Sequence, residues 1–154
     1  MAIKLKNYTT EVPAARSIDN LEKLLVDFGA KNIMKEYEYI NPLPGQVCVS
    51  LSFIIDIEGM KLPFKLPGNV RKIMKWLRKQ RPQASDKTIT EQSLRIAWKQ
   101  QHEIIHLQLN QLEMDQLEKL EVFFPYLYDI GQNKTYYEKI KEGGFKALIG
   151  PPSS

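Results

Sequence analysis

Residues 46–67 have the sequence QVCVSLSFIIDIEGMKLPFKLP, and this stretch decides the fold. Apolar and polar residues alternate over residues 47–57 and again over residues 60–66, which is the period of a half-buried β-strand. Glu58-Gly59 between the two runs is typical of a tight hairpin turn. Pro63 has no backbone N–H for a ladder hydrogen bond, so we expect the second run at an edge of the sheet.

The residues before the hairpin predict a helix and further strands. Residues 32–39 alternate with the same period and end at a Pro- and Gly-containing turn, so they predict a further strand. Residues 18–28 have helical spacing, with Ser17 as the expected N-cap and Gly29 as the stop. A short edge strand is expected over residues 3–8.

The residues after the hairpin predict helices. A helix is expected over residues 69–80, followed by a loop over residues 81–87. Thr88 and Glu91 form a capping box that is expected to open a long helix ending near Glu113. Shorter helices are expected over residues 115–125 and 135–143. The sequence therefore predicts an α+β fold: a small antiparallel sheet of about three strands, packed on one face by helices, with the long C-terminal helix as its spine.

The length and composition of the chain fit one domain. It has 154 residues and is 43% hydrophobic, which is enough for a core. We expect residues 1–150 to form a single domain and residues 151–154 to be a disordered tail. Cys48 is the one cysteine, and its apolar strand predicts a buried, inert thiol. The first residues lack the apolar segment of a signal peptide, and no apolar run approaches roughly 18 residues, so we expect no membrane partner.

Charge is concentrated in two regions of the chain. The net charge is +4, but residues 61–87 hold nine basic residues and one acid, so the window is +8 and the remainder is −4. Between residues 100 and 129 the balance reverses, with six acids against Lys119 alone. The basic region is suited to a polyanion, and the acidic region to a basic partner or to the basic region itself.

The predicted helix over residues 69–80 carries the first candidate site. Its basic side chains would release counterions from phosphates, and an aromatic side chain beside them would stack on a base. The candidate residues for binding DNA or RNA are Arg71, Lys72, Lys75, Trp76, Arg78 and Lys79. The alternative interpretation is a solvated basic face with Trp76 packed sideways into the core.

The two histidines of the chain form H-E-x-x-H, from His102 through Glu103 to His106. Histidines at i and i+4 can take two positions on Zn²⁺, with the glutamate activating a bound water, as in a zinc hydrolase. The third ligand would be a carboxylate such as Glu118, Glu121 or Glu138. Helical geometry instead places His102 at the margin of the core stripe and His106 further toward solvent, with Arg95 and Lys99 on the same flank. We therefore interpret the pair as surface histidines and expect no cofactor, with zinc restricted to the hydrolase alternative.

Aromatic residues are crowded near the C-terminus, within residues 123–137. One interpretation is that most of them close the core over the helices. The other is a protein-binding surface, since such residues anchor interfaces. Its candidate residues are Phe123, Phe124, Tyr126 and Tyr128. A homodimer built on the long helix and this cluster is a related hypothesis.

Several segments resemble a family of small phage and prophage proteins of unknown function. They are RIAWK at residues 95–99, QLNQLE at 108–113, VFFPYL at 122–127, YTTEV at 8–12 and FKLP at 64–67. The resemblance covers most of the chain and rests on packing motifs, none of them catalytic. It implies an accessory protein of viral origin in the host-cell cytoplasm, and it supplies no activity.

These observations lead to one expected function and two alternatives. The expected function is a non-enzymatic phage or mobile-element accessory protein that binds nucleic acid through the basic helix. The first alternative is a protein-binding module, such as a host-defence inhibitor or a replication or recombination accessory, whose partner is a host or phage protein. The second alternative is the zinc-dependent hydrolase.

Overall fold

The computed structural model describes residues 6–150. Its main sheet is antiparallel, with order β1-β2-β3, and is formed by β1 (Lys31–Tyr39), β2 (Gln46–Ile57) and β3 (Met60–Pro67). The three longest helices are α1 (Ala14–Asp27), α2 (Val70–Gln80) and α3 (Asp86–Glu113). The α+β prediction is confirmed, with α3 as the long helix. The tail predicted at residues 151–154, and residues 3–5 of the predicted edge strand, lie outside the described residues.

The C-terminal region adds small elements to this frame. They are α4 (Lys119–Phe123), a 3₁₀ turn (Phe124–Tyr126), β4 (Tyr128–Asp129), β5 (Lys134–Thr135), α5 (Tyr136–Glu142) and α6 (Lys146–Ile149). The strands β4 and β5 pair with each other in a separate two-stranded ribbon. An isolated bridge between Phe64 and Leu127 joins this region to the outer edge of β3. Across residues 6–150, none of the helices combines the length and the apolar character that a membrane span needs.

The β2–β3 hairpin forms as the sequence predicts. Ile57 lies opposite Met60, and the two turn residues between them have positive φ, 53° for Glu58 and 84° for Gly59. Two consecutive left-handed residues match the right-handed twist of the strands in a two-residue hairpin. The Gly59 N–H also donates to Asp56 Oδ1 at 2.9 Å. The predicted edge position of Pro63 is confirmed, because within residues 6–150 β3 pairs with β2 alone in the main sheet.

An irregularity between β1 and β2 changes which β2 residues enter the core. Glu36 lies opposite Ser50, but Tyr37 lies opposite Cys48, so β2 has one extra residue, Val49, at this point. A one-residue bulge reverses the alternation of the strand beyond it. Cys48, which the alternation assigns to the polar face, is therefore buried in the same core cluster as Leu51. The predicted buried thiol is present, and burial raises its pKa to about 11.

Trp98 of α3 fastens the helical layer to the sheet. Its side chain is fully buried, and its indole N–H donates to the Cys48 carbonyl at 3.1 Å. Gly68, at the end of β3, lies directly against the indole ring, and its N–H donates to the Val49 carbonyl at 2.9 Å. One turn further along α3, the Gln101 amide donates to the Pro67 carbonyl at 2.6 Å. Helix α3 is thus bonded to both strands of the hairpin at the point where α2 begins.

The start of α1 differs from its prediction. The helix begins at Ala14 with Pro13 at the N-cap position, four residues before the expected start after Ser17. Proline at a helix start fits because its fixed φ suits the first turn and its missing N–H is not needed there. Ser17 is buried instead, and its hydroxyl has no hydrogen-bond partner among the described residues.

Two later helix starts also differ from their predictions. Helix α3 begins at Asp86 because the Ser85 hydroxyl, rather than Thr88, caps it and accepts the Thr88 N–H at 3.1 Å. Helix α4 begins at Lys119, one turn after the start expected near residue 115, and a capping box between Glu118 and Glu121 marks its N-terminus. A capping box between Thr135 and Glu138 opens α5 at the expected position. Local polar patterns therefore indicate a helix start within one turn, and the competing caps are decided by packing.

The N-terminal segment lies along α3 in turns. Residues 6–8, expected to continue an edge strand, lie in turns in the structure. The Gln92 amide donates to the Tyr8 carbonyl at 3.0 Å and to the Thr10 carbonyl at 3.1 Å. The Gln100 amide donates to the Lys6 carbonyl at 2.8 Å. Side chains of α3 thus satisfy the backbone groups that a neighbouring strand would have satisfied.

Replacement of Gly68 by alanine tests the contact with Trp98. A Cβ at residue 68 would lie 2.9 Å from Trp98 Cζ2 and 3.1 Å from the Val49 carbonyl oxygen, and neither atom belongs to a flexible side-chain end. Overpacking of this kind costs about 1–3 kcal/mol, so we expect Gly68→Ala to lower the free energy of unfolding by that amount in urea denaturation. The matched control is Gly45→Ala, because no atom lies within 4 Å of its added Cβ. Equal stability of the two variants would contradict the close contact.

Candidate nucleic-acid interface

The basic residues of α2 face solvent because its apolar residues pack against α3 and the sheet. Val70 and Leu77 are buried, and Ile73 and Met74 pack beside them in two core clusters. This spacing follows one face of an α-helix, so the residues between them must face outward. Five of the six candidate residues are exposed, and they are Arg71, Lys72, Lys75, Trp76 and Lys79.

Three of the exposed cations remain free of carboxylate partners. Among residues 6–150, Lys72, Lys75 and Lys79 form no ion pair, whereas Arg71 is paired with Glu38 of β1. The three lysines recur at intervals of three and four residues, so they lie along one side of the helix. We call the surface formed by Lys72, Lys75 and Lys79 the lysine face.

Arg78 belongs to the predicted set but not to the lysine face, because its side chain is bonded to the α2–α3 loop. Its guanidinium donates to the Ala84 carbonyl at 2.6 Å and is also paired with Asp86 at the start of α3. A longer contact of 3.4 Å reaches the Pro82 carbonyl. A guanidinium used in this way has few donors left for a phosphate. The sequence could not distinguish Arg78 from its basic neighbours, because the carbonyls come from a loop whose path depends on packing.

Trp76 packs against the N-terminal segment and is also accessible. Its side chain is 37% exposed. Its ring meets the Tyr8 ring edge to face, with centroids 5.8 Å apart and planes at 86°. The tryptophan therefore lies outside the main core, beside the lysine face, where part of the indole is open to solvent.

Sequence patterns missed two arginines near this surface. Arg81, at the end of α2, and Arg95, on α3, line a common cavity with Tyr8 and Thr10 of the N-terminal segment. Their convergence depends on how the N-terminal segment lies on α3, which no local motif reveals. A weak signal was present, because Arg81 belongs to the same basic window as the lysine face.

The H-E-x-x-H side chains lie on α3 away from a further ligand. His102 is partly buried, and His106 is exposed, with ring centroids 5.7 Å apart. Glu103 accepts the Asn7 amide at 3.0 Å and is paired with Lys99 at 3.5 Å. The hydrogen bond from Asn7 and the nearby Lys6 lower the pKa of the Glu103 carboxyl, which favours its charged form.

The carboxylates considered as a third zinc ligand have other roles. Glu118 and Glu121 form the capping box of α4, and Glu138 belongs to the capping box of α5. Within residues 6–150, no group of three or more His, Cys, Asp or Glu side chains is arranged to hold a metal ion. The zinc hydrolase therefore stays a hypothesis with two histidine ligands and no third ligand among the described residues.

The C-terminal aromatic residues divide between core and surface. Phe123 is fully buried and meets Phe53 and Phe64 with ring centroids 5.6 Å and 5.8 Å away. Tyr126 is partly buried, and burial raises the pKa of its hydroxyl. The Lys65 ammonium lies over the Tyr128 ring, 5.4 Å from the ring centroid. Phe124, in contrast, is 55% exposed, so of the four candidate interface residues it is the most available to a partner.

The chain was compared with known proteins. No protein-family model, curated protein or solved structure matches it.

Replacement of Arg78 by glutamine tests its role in the α2–α3 loop. We expect Arg78→Gln to lower the free energy of unfolding by about 1–3 kcal/mol, because hydrogen bonds from a charged donor are lost. Lys79→Gln is the matched control, since it removes the same charge from an exposed neighbour that has no ion pair among the described residues. Urea denaturation of both variants measures the difference. A loss of stability for Lys79→Gln equal to that for Arg78→Gln would contradict this role.

The environment of His102 predicts how stability depends on pH. Burial, the Lys99 charge and the neighbouring His106 lower the pKa of His102 below its usual 6.5. The unfolded chain therefore binds the proton at a higher pH than the folded protein does. The contribution of His102 to the free energy of unfolding is therefore complete above about pH 6.5. It is lost as the pH falls through the folded-state pKa of His102.

Two measurements check this expectation. An NMR titration of the His102 ring should give a pKa below 6.5. Denaturation between pH 5 and pH 8 should show a smaller loss of stability toward acid pH for His102→Gln than for the wild type, because the variant has no titrating ring at this position. A His102 pKa at or above the usual value would contradict the prediction.

Proposed function

We propose that this protein is a non-enzymatic accessory protein of a phage or other mobile element, acting in the host-cell cytoplasm, and that it binds nucleic acid through α2. The observation that carries the proposal is the lysine face, in which Lys72, Lys75 and Lys79 are exposed without an ion pair among residues 6–150. Other basic side chains are paired with carboxylates, as Lys35 is with Glu22 and Lys65 is with Glu36. The phage origin and the location rest on the family resemblance of the sequence.

The dimensions of the lysine face suit a phosphate backbone. Seven residues separate Lys72 from Lys79, so the face extends about 10 Å along the helix. One strand of B-form DNA places about three phosphates over that length. Lysine ammonium groups on flexible stems bind such charges without a fixed geometry, which favours contact with the backbone over recognition of a base sequence. The partner is therefore DNA or RNA bound with little sequence preference.

A triple substitution tests the lysine face. We expect Lys72→Gln, Lys75→Gln and Lys79→Gln together to weaken binding of labelled single-stranded and duplex DNA in fluorescence anisotropy. Because three phosphate contacts are lost, the slope of log affinity against log salt should become shallower by about 2 units for single-stranded DNA and about 3 units for duplex DNA. The matched control replaces Lys23, Lys141 and Lys146 by glutamine, which removes the same charge from exposed positions on other helices. Equal weakening by the two triple variants, or an absence of binding by the wild type, would overturn the proposal.

A second candidate function is supported by the exposed apolar side chains of the C-terminal region. Phe124, Ile130, Tyr137 and Leu148 are each more than half exposed. Large apolar side chains of this kind anchor protein interfaces when they are grouped. The partner would be a host protein, a phage protein or a second copy of this chain. Recovery of one stoichiometric protein from nuclease-treated lysate, lost on Phe124→Asp, would support this function over the first.

A further inference from the structure

A cavity of about 600 Å³ lies between the N-terminal segment, the end of α2 and the N-terminal half of α3. Arg81 and Arg95 line the cavity, and Thr9 and Thr10 lie on the wall that the N-terminal segment forms. Glu11 is the one carboxylate in that lining. We call this cavity the arginine pocket.

The two guanidinium groups of the arginine pocket are available to a ligand. Neither Arg81 nor Arg95 forms an ion pair with a carboxylate among residues 6–150, although four other basic residues of residues 61–87 do so. Arg95 donates through Nε to the Gln92 side-chain oxygen at 2.8 Å, which leaves its two terminal nitrogens for other acceptors. Paired guanidinium groups bind phosphate oxygens with defined geometry.

The walls of the arginine pocket are held in place before any ligand binds. The same Gln92 that orients Arg95 donates from its amide nitrogen to the Tyr8 and Thr10 carbonyls, at 3.0 Å and 3.1 Å. One side chain of α3 therefore fixes both an arginine and the opposite wall. A site organised in this way loses little conformational entropy on binding.

An aromatic surface adjoins the arginine pocket. Tyr8 lines the cavity and also packs edge to face on Trp76, whose indole is 37% exposed next to the lysine face. A base stacks on an aromatic side chain only when it is unpaired, because the bases of a duplex already stack on one another. One side of the protein therefore holds hydrogen-bond donors for a phosphate, an accessible indole and a row of lysines.

We infer that the arginine pocket binds a backbone phosphate of single-stranded nucleic acid while an adjoining base stacks on Trp76 and the lysine face holds the following phosphates. The inference rests on the proposed function and adds to it the class of ligand, a single strand rather than a duplex. Arg81 and Arg95 supply the donors to the phosphate, and Gln92 is a positioning residue.

Two arginine variants test the pocket against a matched control. The probes are labelled oligothymidylate and a labelled duplex of equal length, with binding followed by fluorescence anisotropy. We expect Arg81→Gln and Arg95→Gln each to weaken oligothymidylate binding on the order of tenfold, which corresponds to the loss of one charge-assisted hydrogen bond. For the duplex, the change in the logarithm of the affinity should be less than half of the change for oligothymidylate. Arg16→Gln removes the same charge from an exposed position on α1 and should leave both affinities unchanged.

Quenching of tryptophan fluorescence gives a second readout. Trp98 is fully buried, so quenching caused by an added oligothymidylate should come from Trp76 and disappear in Trp76→Leu. Urea denaturation of each arginine variant ensures that a lost affinity is not lost folding. Arg95→Lys, which keeps the charge and removes the guanidinium fork, should bind oligothymidylate with intermediate affinity.

The outcomes separate this inference from the proposed function. Arginine variants that bind oligothymidylate as well as Arg16→Gln does would overturn the arginine pocket, and the lysine face would stand if its triple variant had lost binding. Equal losses for oligothymidylate and duplex would overturn the assignment to single strands. If the wild type binds neither oligothymidylate nor the duplex, both proposals are overturned.

Discussion

The contact between Trp98 and the β2–β3 hairpin constrains the rest of the structure. The indole ring occupies the space that a side chain at residue 68 would need, and its N–H is bonded to the backbone of Cys48. Since Gly68 directly follows β3, the contact fixes both where α3 crosses the sheet and where α2 starts. A buried indole without a partner for its N–H would be costly, so the bulged strand that supplies this carbonyl is part of the same arrangement.

From that contact, side chains of α3 organise both sides of the candidate site. Gln101 bonds to the end of β3, while Gln92 holds the N-terminal segment in the position where Tyr8 meets Trp76. Glutamine is suited to this role because its amide donates twice and accepts as well. The position of the lysine face relative to the arginine pocket is therefore set by polar side chains of one helix.

The distribution of charge shows which basic residues have structural roles. Arg78 holds the loop between α2 and α3, Arg71 is paired with β1, and Lys65 is paired with Glu36. The sequence shows a single basic window in which these residues look alike. Ion pairs at exposed positions add little to stability, so the unpaired lysines cost the fold little and remain available for a ligand. The same separation applies to the aromatic cluster, where Phe123 is core and Phe124 is surface.

By itself, the sequence determined the α+β class, the hairpin at Glu58-Gly59, the edge position of Pro63 and the helical face that carries the lysines. These features depend on the two- and 3.6-residue periods and on turn chemistry, which act between residues close in the chain. Tertiary structure alone decided the bulge at Val49, the engagement of Arg78 and the convergence of Arg81 with Arg95. The bulge depends on strand pairing, the Arg78 contacts depend on the path of the nearby loop, and the two arginines meet at an N-terminal segment far from both in the sequence. Local patterns contain no information on which carbonyl or side chain will lie within hydrogen-bonding distance.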